Sequence, residues 1–170
     1  MRVMTLFLLL ALAACQSSGQ VAPPIAIVTP KPAQFPTPSE ALAKGLPLMS
    51  PSEAVVAAAE AALRRGGVRA VFAVPVRRTE QVGARYFLNS EADYRDQRNL
   101  SVVIHPVALS AVRARFGDNL SQAFLGRSIR LYGRAERVRI DFTANGRPTG
   151  KYYYQTHVTV FDPRQIEVVS

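Results

Sequence analysis

The hydrophobic and polar positions of this chain change rhythm three times. Residues 3–14 form an apolar run broken only by Thr5, with Arg2 ahead of it. Those twelve residues, rising about 1.5 Å each, reach roughly 18 Å, well short of the ~30 Å hydrocarbon core of a membrane. The run therefore predicts the central part of a secretion signal over residues 1–14, not a membrane span. From residue 16 to 48 periodicity disappears, and the stretch is rich in Pro, Ala, Ser, Gln and Thr, with seven of the twelve prolines. Such a composition cannot bury enough apolar surface to fold alone. It predicts a disordered tether over residues 15–48, reaching on the order of 100 Å at most. Within it, Pro36-Thr37-Pro38 has the form of a short groove-docking segment, with a plain spacer as the simpler reading.

A helical rhythm follows over residues 50–65, SPSEAVVAAAEAALRR. Ser50 suits the N-cap, Pro51 the first helical position, and Glu53 completes a capping box. Arg64 and Arg65 suit the negative end of the dipole, and Gly66-Gly67 stops the helix. Its apolar face is mostly alanine, which predicts a helix leaning on the edge of a domain.

From Val68 the period falls to two. Strands are predicted over residues 68–77, 84–89, 100–105, 128–142 and 152–161, with a short closing one over 165–169. Pro75 marks a bend or an edge, and Pro106 ends the third strand. Residues 107–116 and 118–125 read as a helix interrupted at Gly117, with Asp118 available to cap its second part. In the fourth strand Ile129, Leu131, Gly133 and Ala135 share one face, whereas Val138, Ile140 and Phe142 continue in the opposite parity. Keeping that face continuous requires a bulge near Glu136-Arg137. Asn145-Gly146 and Gly150 mark the hairpin loop that follows.

Composition adds a compartment. The chain has one cysteine, Cys15, directly after the apolar run. Leu12-Ala13-Ala14-Cys15 resembles the bacterial lipobox, and the resemblance implies that Cys15 carries the lipid and becomes the mature N-terminus. Acyl chains contribute roughly 0.8 kcal/mol per buried CH₂, so two or three of them hold a small domain on a membrane. Gln16, rather than Asp, at the next position favours the periplasmic face of the outer membrane over inner-membrane retention. No thiol remains for a disulfide, a nucleophile or a metal. The chain carries 21 basic and 12 acidic residues, a net charge of +9, and 18 of the basic residues are Arg. Loss of Arg2 with the signal leaves +8. A GC-rich genome accounts for arginine dominance without function; physically, the guanidinium fork matches phosphate and carboxylate.

The order strand–strand–strand–helix–strand–strand with a bent fourth strand resembles the OB-fold, a small five-stranded barrel. The resemblance to bacterial OB-fold domains of the nucleic-acid-binding type runs through residues 86–90 (YFLNS), 94–96 (YRD), 99–104 (NLSVVI), 126–133 (GRSIRLYG) and 162–166 (DPRQI). It covers residues 68–169 and implies a mainly β domain: a five-stranded OB-like barrel with a helix between strands three and four, plus the N-terminal helix. Its motifs are turns and core positions, so they speak to fold rather than ligand.

An OB barrel binds through its second and third strands and the loops after strands one and four. Those places hold Arg77, Arg78, Arg85, Tyr86, Tyr94, Arg95, Arg98, Arg147 and Lys151, a candidate surface for single-stranded nucleic acid or another polyanion. Glu80, Glu91, Asp93 and Asp96 dilute its positive field. A second basic stripe, Arg130, Tyr132, Arg134, Arg137 and Arg139, could meet lipid phosphates or peptidoglycan carboxylates, or simply be a solvated exterior. His105 and His157, with Asp93 or Asp141 nearby in type, are the only material for acid–base chemistry. No hydrolase motif or metal-ligand spacing surrounds them. The sequence reads as a lipid-tethered, non-enzymatic binding or assembly module of the cell envelope, with no cofactor and no metal, whose partner is an envelope protein or an anionic polymer.

Overall fold

The computed structural model describes residues 35–63 and 66–169. The secretion signal, Cys15, Arg64 and Arg65 lie outside the described residues. The elements run α1 (Pro38–Ala43), β1 (Leu48–Met49), α2 (Pro51–Ala62), β2 (Val68–Pro75), β3 (Arg78–Val82), β4 (Arg85–Asn89), β5 (Leu100–Ile104), α3 (Pro106–Phe116), α4 (Leu120–Phe124), β6 (Ser128–Ala144), β7 (Arg147–Val160), a 3-10 turn (Pro163–Gln165) and β8 (Ile166–Val168). The domain is mainly β, built on one curled sheet in the order β1-β2-β6-β7-β5-β4-β3, with β8 also paired to β6. No helix among the described residues is long and apolar enough to cross a membrane.

The curl has a local cause. Pro75 has no N–H to give to the ladder, and the chain changes partners immediately after it. Val76 donates its N–H to Arg127 O at 2.8 Å, whereas Arg77 donates to Asn89 O at 2.9 Å. β2 pairs antiparallel with β6, and β3 pairs antiparallel with β4. β2, second in the sheet order, and β3, at its far end, are therefore joined by one stretch of chain, bent at residues 76–77. Eight strands appear where five and a short closing one were expected: β3 forms over residues 78–82, between the first two predicted strands, and β1 arises upstream of residue 68.

Alternation along the strands fills the interior. Phe72 and Val74 of β2, Leu88 of β4, Leu100 and Ile104 of β5, and Ile129 and Leu131 of β6 are fully buried, together with Leu120 and Phe124 of α4. Each such side chain contributes about 1.5–3 kcal/mol relative to exposure. α2 lies against this core through Ala54 and Ala58, both completely buried, and its Ser50–Glu53 capping box forms as anticipated. α3 ends at Phe116 ahead of Gly117, at φ 99°, and Asn119 rather than Asp118 accepts from Gln122 N to cap α4.

Two departures from the sequence pattern matter for function. Residues 35–48, assigned by composition to the tether, belong to the folded unit. Thr37 of the Pro36-Thr37-Pro38 stretch is an N-cap in a capping box with Glu40, and Pro38 opens α1. Ser39 Oγ donates to Glu167 at 2.7 Å, Arg164 pairs with Glu40 at 3.2 Å, and Ala41 packs with Val71 and Tyr132 on the outer face of the sheet. Secondly, β6 has no bulge at Glu136-Arg137. Its register with β7 is unbroken from Ala135 to Asp141, and the irregularity lies between Asp141 and Thr143. The apolar face need not stay inward there, because β2 ends opposite Ala135 and β6 has already left the core.

Gly133 leaves no room for a side chain: a Cβ there would sit 2.5 Å from Val158 Cγ1. Gly133→Ala should cost about 1–3 kcal/mol in urea denaturation, the cost of overpacking a close-packed core. Adding Val158→Ala should recover part of that loss, so the double variant is more stable than the sum of its single effects.

Candidate functional site

Beyond Ala135 the second half of β6 pairs only with β7 among the described residues, making a two-stranded arm over residues 137–155 that turns at Asn145-Gly146. Both turn residues take positive φ, 52° and 73°, as a tight hairpin turn requires. Arg139 stands directly opposite Tyr154, and Asp141 opposite Tyr152. Each arginine leans to the tyrosine on its diagonal. The Arg137 guanidinium lies 3.8 Å from the Tyr154 ring centre, and that of Arg139 lies 4.1 Å from Tyr152. The two tyrosine rings meet edge to face at 5.6 Å. Cation–π contacts at exposed sites contribute about 0.5–1 kcal/mol each, enough to order long side chains that water would otherwise leave free. Asp141 holds Arg139 from the side at 2.7 Å, whereas Arg137 forms no ion pair among the described residues. Tyr152 is 49% exposed and Tyr154 40%, so the stacks face solvent.

The arm borders an open cleft of about 440 Å³ shared with α2 and the β4–β5 loop, lined by Val55, Ala59, Gln97, Arg137, Tyr152 and Tyr154 among others. On the arm's other face Phe142 packs against Tyr153 at 5.2 Å, beside half-buried Val138 and Ile140. Here the arm is fastened to the loop. Gln155 Nε2 donates to Tyr94 O at 3.3 Å and to the Tyr153 hydroxyl at 3.0 Å. The loop itself hangs on a buried polar cluster. Asn99, 2% exposed, donates to Ser101 Oγ at 2.9 Å and to Asn89 Oδ1 at 3.1 Å, while its own Oδ1 accepts from Glu91 N at 3.0 Å.

The basic residues expected on the second and third strands and their loops separate into three groups. Arg77, Arg78, Arg95 and Arg98 are paired with Glu91, Glu80, Asp93 and Asp96 respectively, so this surface is close to neutral. The Arg98 side-chain hydrogen bond, aided by the Arg98 N–H, lowers the Asp96 carboxyl to about 2. Tyr94 lies between the guanidinium groups of Arg78 and Arg95, at 5.5 and 5.4 Å. Tyr86 is 9% exposed and joins the interior cluster, so it offers no stacking face, contrary to expectation. The cause is parity: Tyr86 and Leu88 point inward, and Phe87 points outward. Arg85, Arg147 and Lys151 are exposed and form no ion pair among the described residues, the last two on the arm. What the sequence did not join was Arg137 and Arg139 with Tyr152 and Tyr154. They share a face because Arg139 pairs with Tyr154 and Asp141 with Tyr152, a register that lies between the irregularity at Asp141/Thr143 and the sheet.

The histidines are built into structure. His105 is the N-cap of α3, its Nδ1 accepting from Val107 N at 3.3 Å, with its ring 4.9 Å from Phe161. His157 donates from Nε2 to Gln155 Oε1 at 2.7 Å and meets Phe87 edge-on. Neither bonds to Asp93 or Asp141 in the described structure; those carboxylates are held by Arg95 and Arg139. No group of three or more His, Cys, Asp or Glu side chains gathers among the described residues.

No family model and no curated protein matches the chain. Among solved structures, one assigned as an aspartyl-tRNA synthetase from Leishmania major Friedlin aligns with 75% of this chain at 11% identity and a TM-score of 0.40. The chain spans 21% of that chain's length.

Burial, with the positive charge of Arg85 adding to it, pushes the His157 imidazole down from 6.5 to about 4. A histidine whose folded pKa is depressed binds its proton more readily when unfolded, so stability falls as pH drops from about 6.5 towards 4. At 1.36 kcal/mol per pKa unit the loss reaches about 3 kcal/mol by pH 4. Urea denaturation of His157→Gln at pH 7 and pH 4 should show a difference smaller by about that amount than in the unmodified protein.

Proposed function

We propose that this protein is a lipid-tethered, non-enzymatic binding module of the bacterial envelope, built on an OB-like barrel, whose β6–β7 arm takes an anionic polymer. Counting β2 and β3 as one bent strand, with β4, β5, β6 and β7, gives five strands. Their antiparallel pairing, interrupted by the parallel β5–β7 pair, supports the OB reading. The strand equivalent to the arm's base follows α3 and α4, as the barrel order requires. Cys15 supplies the anchor in this reading, and the Pro-rich segment behind it supplies the reach.

One observation carries the ligand class. The arm bears Arg137, Arg139, Arg147 and Lys151 against a single acidic residue, Asp141, and two of those arginines lie stacked on half-exposed tyrosines. Arg77, Arg78, Arg95 and Arg98 are already paired with carboxylates. Between the arm and these neighbouring pairs, the positive charge free to meet a partner is thus on the arm. Guanidinium planes held flat on aromatic rings are suited to a chain that alternates rings with charges, because one surface stacks while its edges donate. Single-stranded nucleic acid and acidic glycans both have that chemistry.

Fluorescence anisotropy with labelled oligo-dT and with polygalacturonate tests the reading across a salt series. Arg137→Ala with Arg139→Ala should weaken binding of either polymer, and for oligo-dT should flatten the salt slope by about 0.7 per lost phosphate contact. Tyr154→Ala should lower affinity by about 1–3 kcal/mol while the slope stays close to that of the unmodified protein. Absence of binding to both polymers at low ionic strength, or binding unaffected by all of these substitutions, would exclude the reading.

A further inference from the structure

A second site lies on the outer face of the sheet, apart from the arm. In the antiparallel β2–β6 ladder Arg69 stands directly opposite Arg134. Like charges in such a pair destabilise a sheet. Both side chains are exposed, and neither forms an ion pair among the described residues. They line a groove of about 370 Å³ with Phe35, Tyr132, Thr159 and Phe161; Glu136, also on its rim, pairs with neither arginine.

The groove has a built floor and a built wall. Gln165, 1% exposed, is fixed at both ends: its Nε2 donates to Tyr132 O at 3.0 Å, and its Oε1 accepts from Phe161 N at 2.8 Å and Asp162 N at 3.0 Å. Phe35 and Phe161 stand nearly parallel, 16° apart with centres 6.4 Å apart. Phe35 and Tyr132 of the groove's lining also pack in one cluster with Ala41 and Leu42 of α1 and with Val71. The chain's own N-terminal segment cannot neutralise the arginine pair, because residues 1–34 contain Arg2, Lys31 and no acidic residue. Glu136 on the rim pairs with neither arginine, which leaves the pair open to an anion from outside.

We propose that this groove binds a small ligand in which a carboxylate or phosphate is carried on an aromatic ring, the acid between Arg69 and Arg134 and the ring against Phe35 and Phe161. Two guanidinium forks converging on one anion give charge-assisted bonds that each arginine otherwise lacks. The apolar wall rewards a ring over a bare anion.

Thermal denaturation of the full chain with phenyl phosphate, benzoate and inorganic phosphate tests the site. Phenyl phosphate or benzoate should raise the melting temperature saturably, and the stronger of the two identifies the acid. Inorganic phosphate should bind at least about tenfold more weakly than phenyl phosphate, for want of the ring contact. Arg69→Thr and Arg134→Thr should each raise the melting temperature without ligand, by relieving repulsion, and each weaken the preferred probe at least about tenfold. Phe161→Ala should erase the advantage of the ring and leave inorganic phosphate unaffected. The proposal is overturned if neither ring-bearing probe shifts the unmodified protein at millimolar concentration, or if the arginine variants bind them as well as it does.

Discussion

β6 pairs with β2 only as far as Ala135, where β2 starts at Val68, yet it runs on to Ala144 with β7 as its partner. A strand longer than the wall it builds must leave the core, and a two-stranded ribbon in water is marginal without further support. The protein supplies that support on both faces of the arm. One face carries Arg137 and Arg139 stacked on Tyr154 and Tyr152; the other packs Phe142 against Tyr153 and ties Gln155 to the Tyr94 carbonyl. Neither set involves the barrel interior, so the arm's order comes from the same side chains that it presents to solvent.

The loop beneath the arm is held by a different chemistry. Asn89, Ser90, Asn99 and Ser101 are all nearly or fully buried, and they bond to one another. Buried polar groups are costly unless paired, so this cluster confines the loop to one arrangement. The loop sets Arg95 and Arg98 beside Asp93 and Asp96 and brings Glu91 to Arg77, while Arg78 and Glu80 pair within β3. Exposed pairs of this kind add little stability, but they cancel charge. The consequence is a division of the surface: the loop is rigid and nearly neutral, and the arm is rigid and positive.

Much of the barrel was legible because alternating Val, Ile, Leu and Phe positions report burial directly. Pro75 showed the bend, and Ser50 with Glu53 the helix start. The folded part of the N-terminal segment was not legible. Pro36, Pro38 and Pro47 resemble tether composition, and only tertiary contacts to Val71, Tyr132, Arg164 and Glu167 show that α1 docks. The candidate surface was half legible. Arg137, Arg139 and the three consecutive tyrosines are conspicuous, but whether they share a face depends on the β6–β7 register, which local pattern does not carry. Tyr86 failed for the same reason, since a strand position is exposed or buried by parity alone. The Arg69–Arg134 pair depends on which strands become neighbours, and no local pattern carries that.

Residue-resolved amide chemical-shift mapping during titration with oligo-dT or polygalacturonate is the most direct test of the central claim that the arm is a preformed ligand platform. The account predicts perturbations concentrated on residues 137–142 and 150–155, with the ion-paired positions Arg77, Arg78, Arg95 and Arg98 changing little. Perturbations confined to those four positions and their loop, with the arm silent, would contradict it.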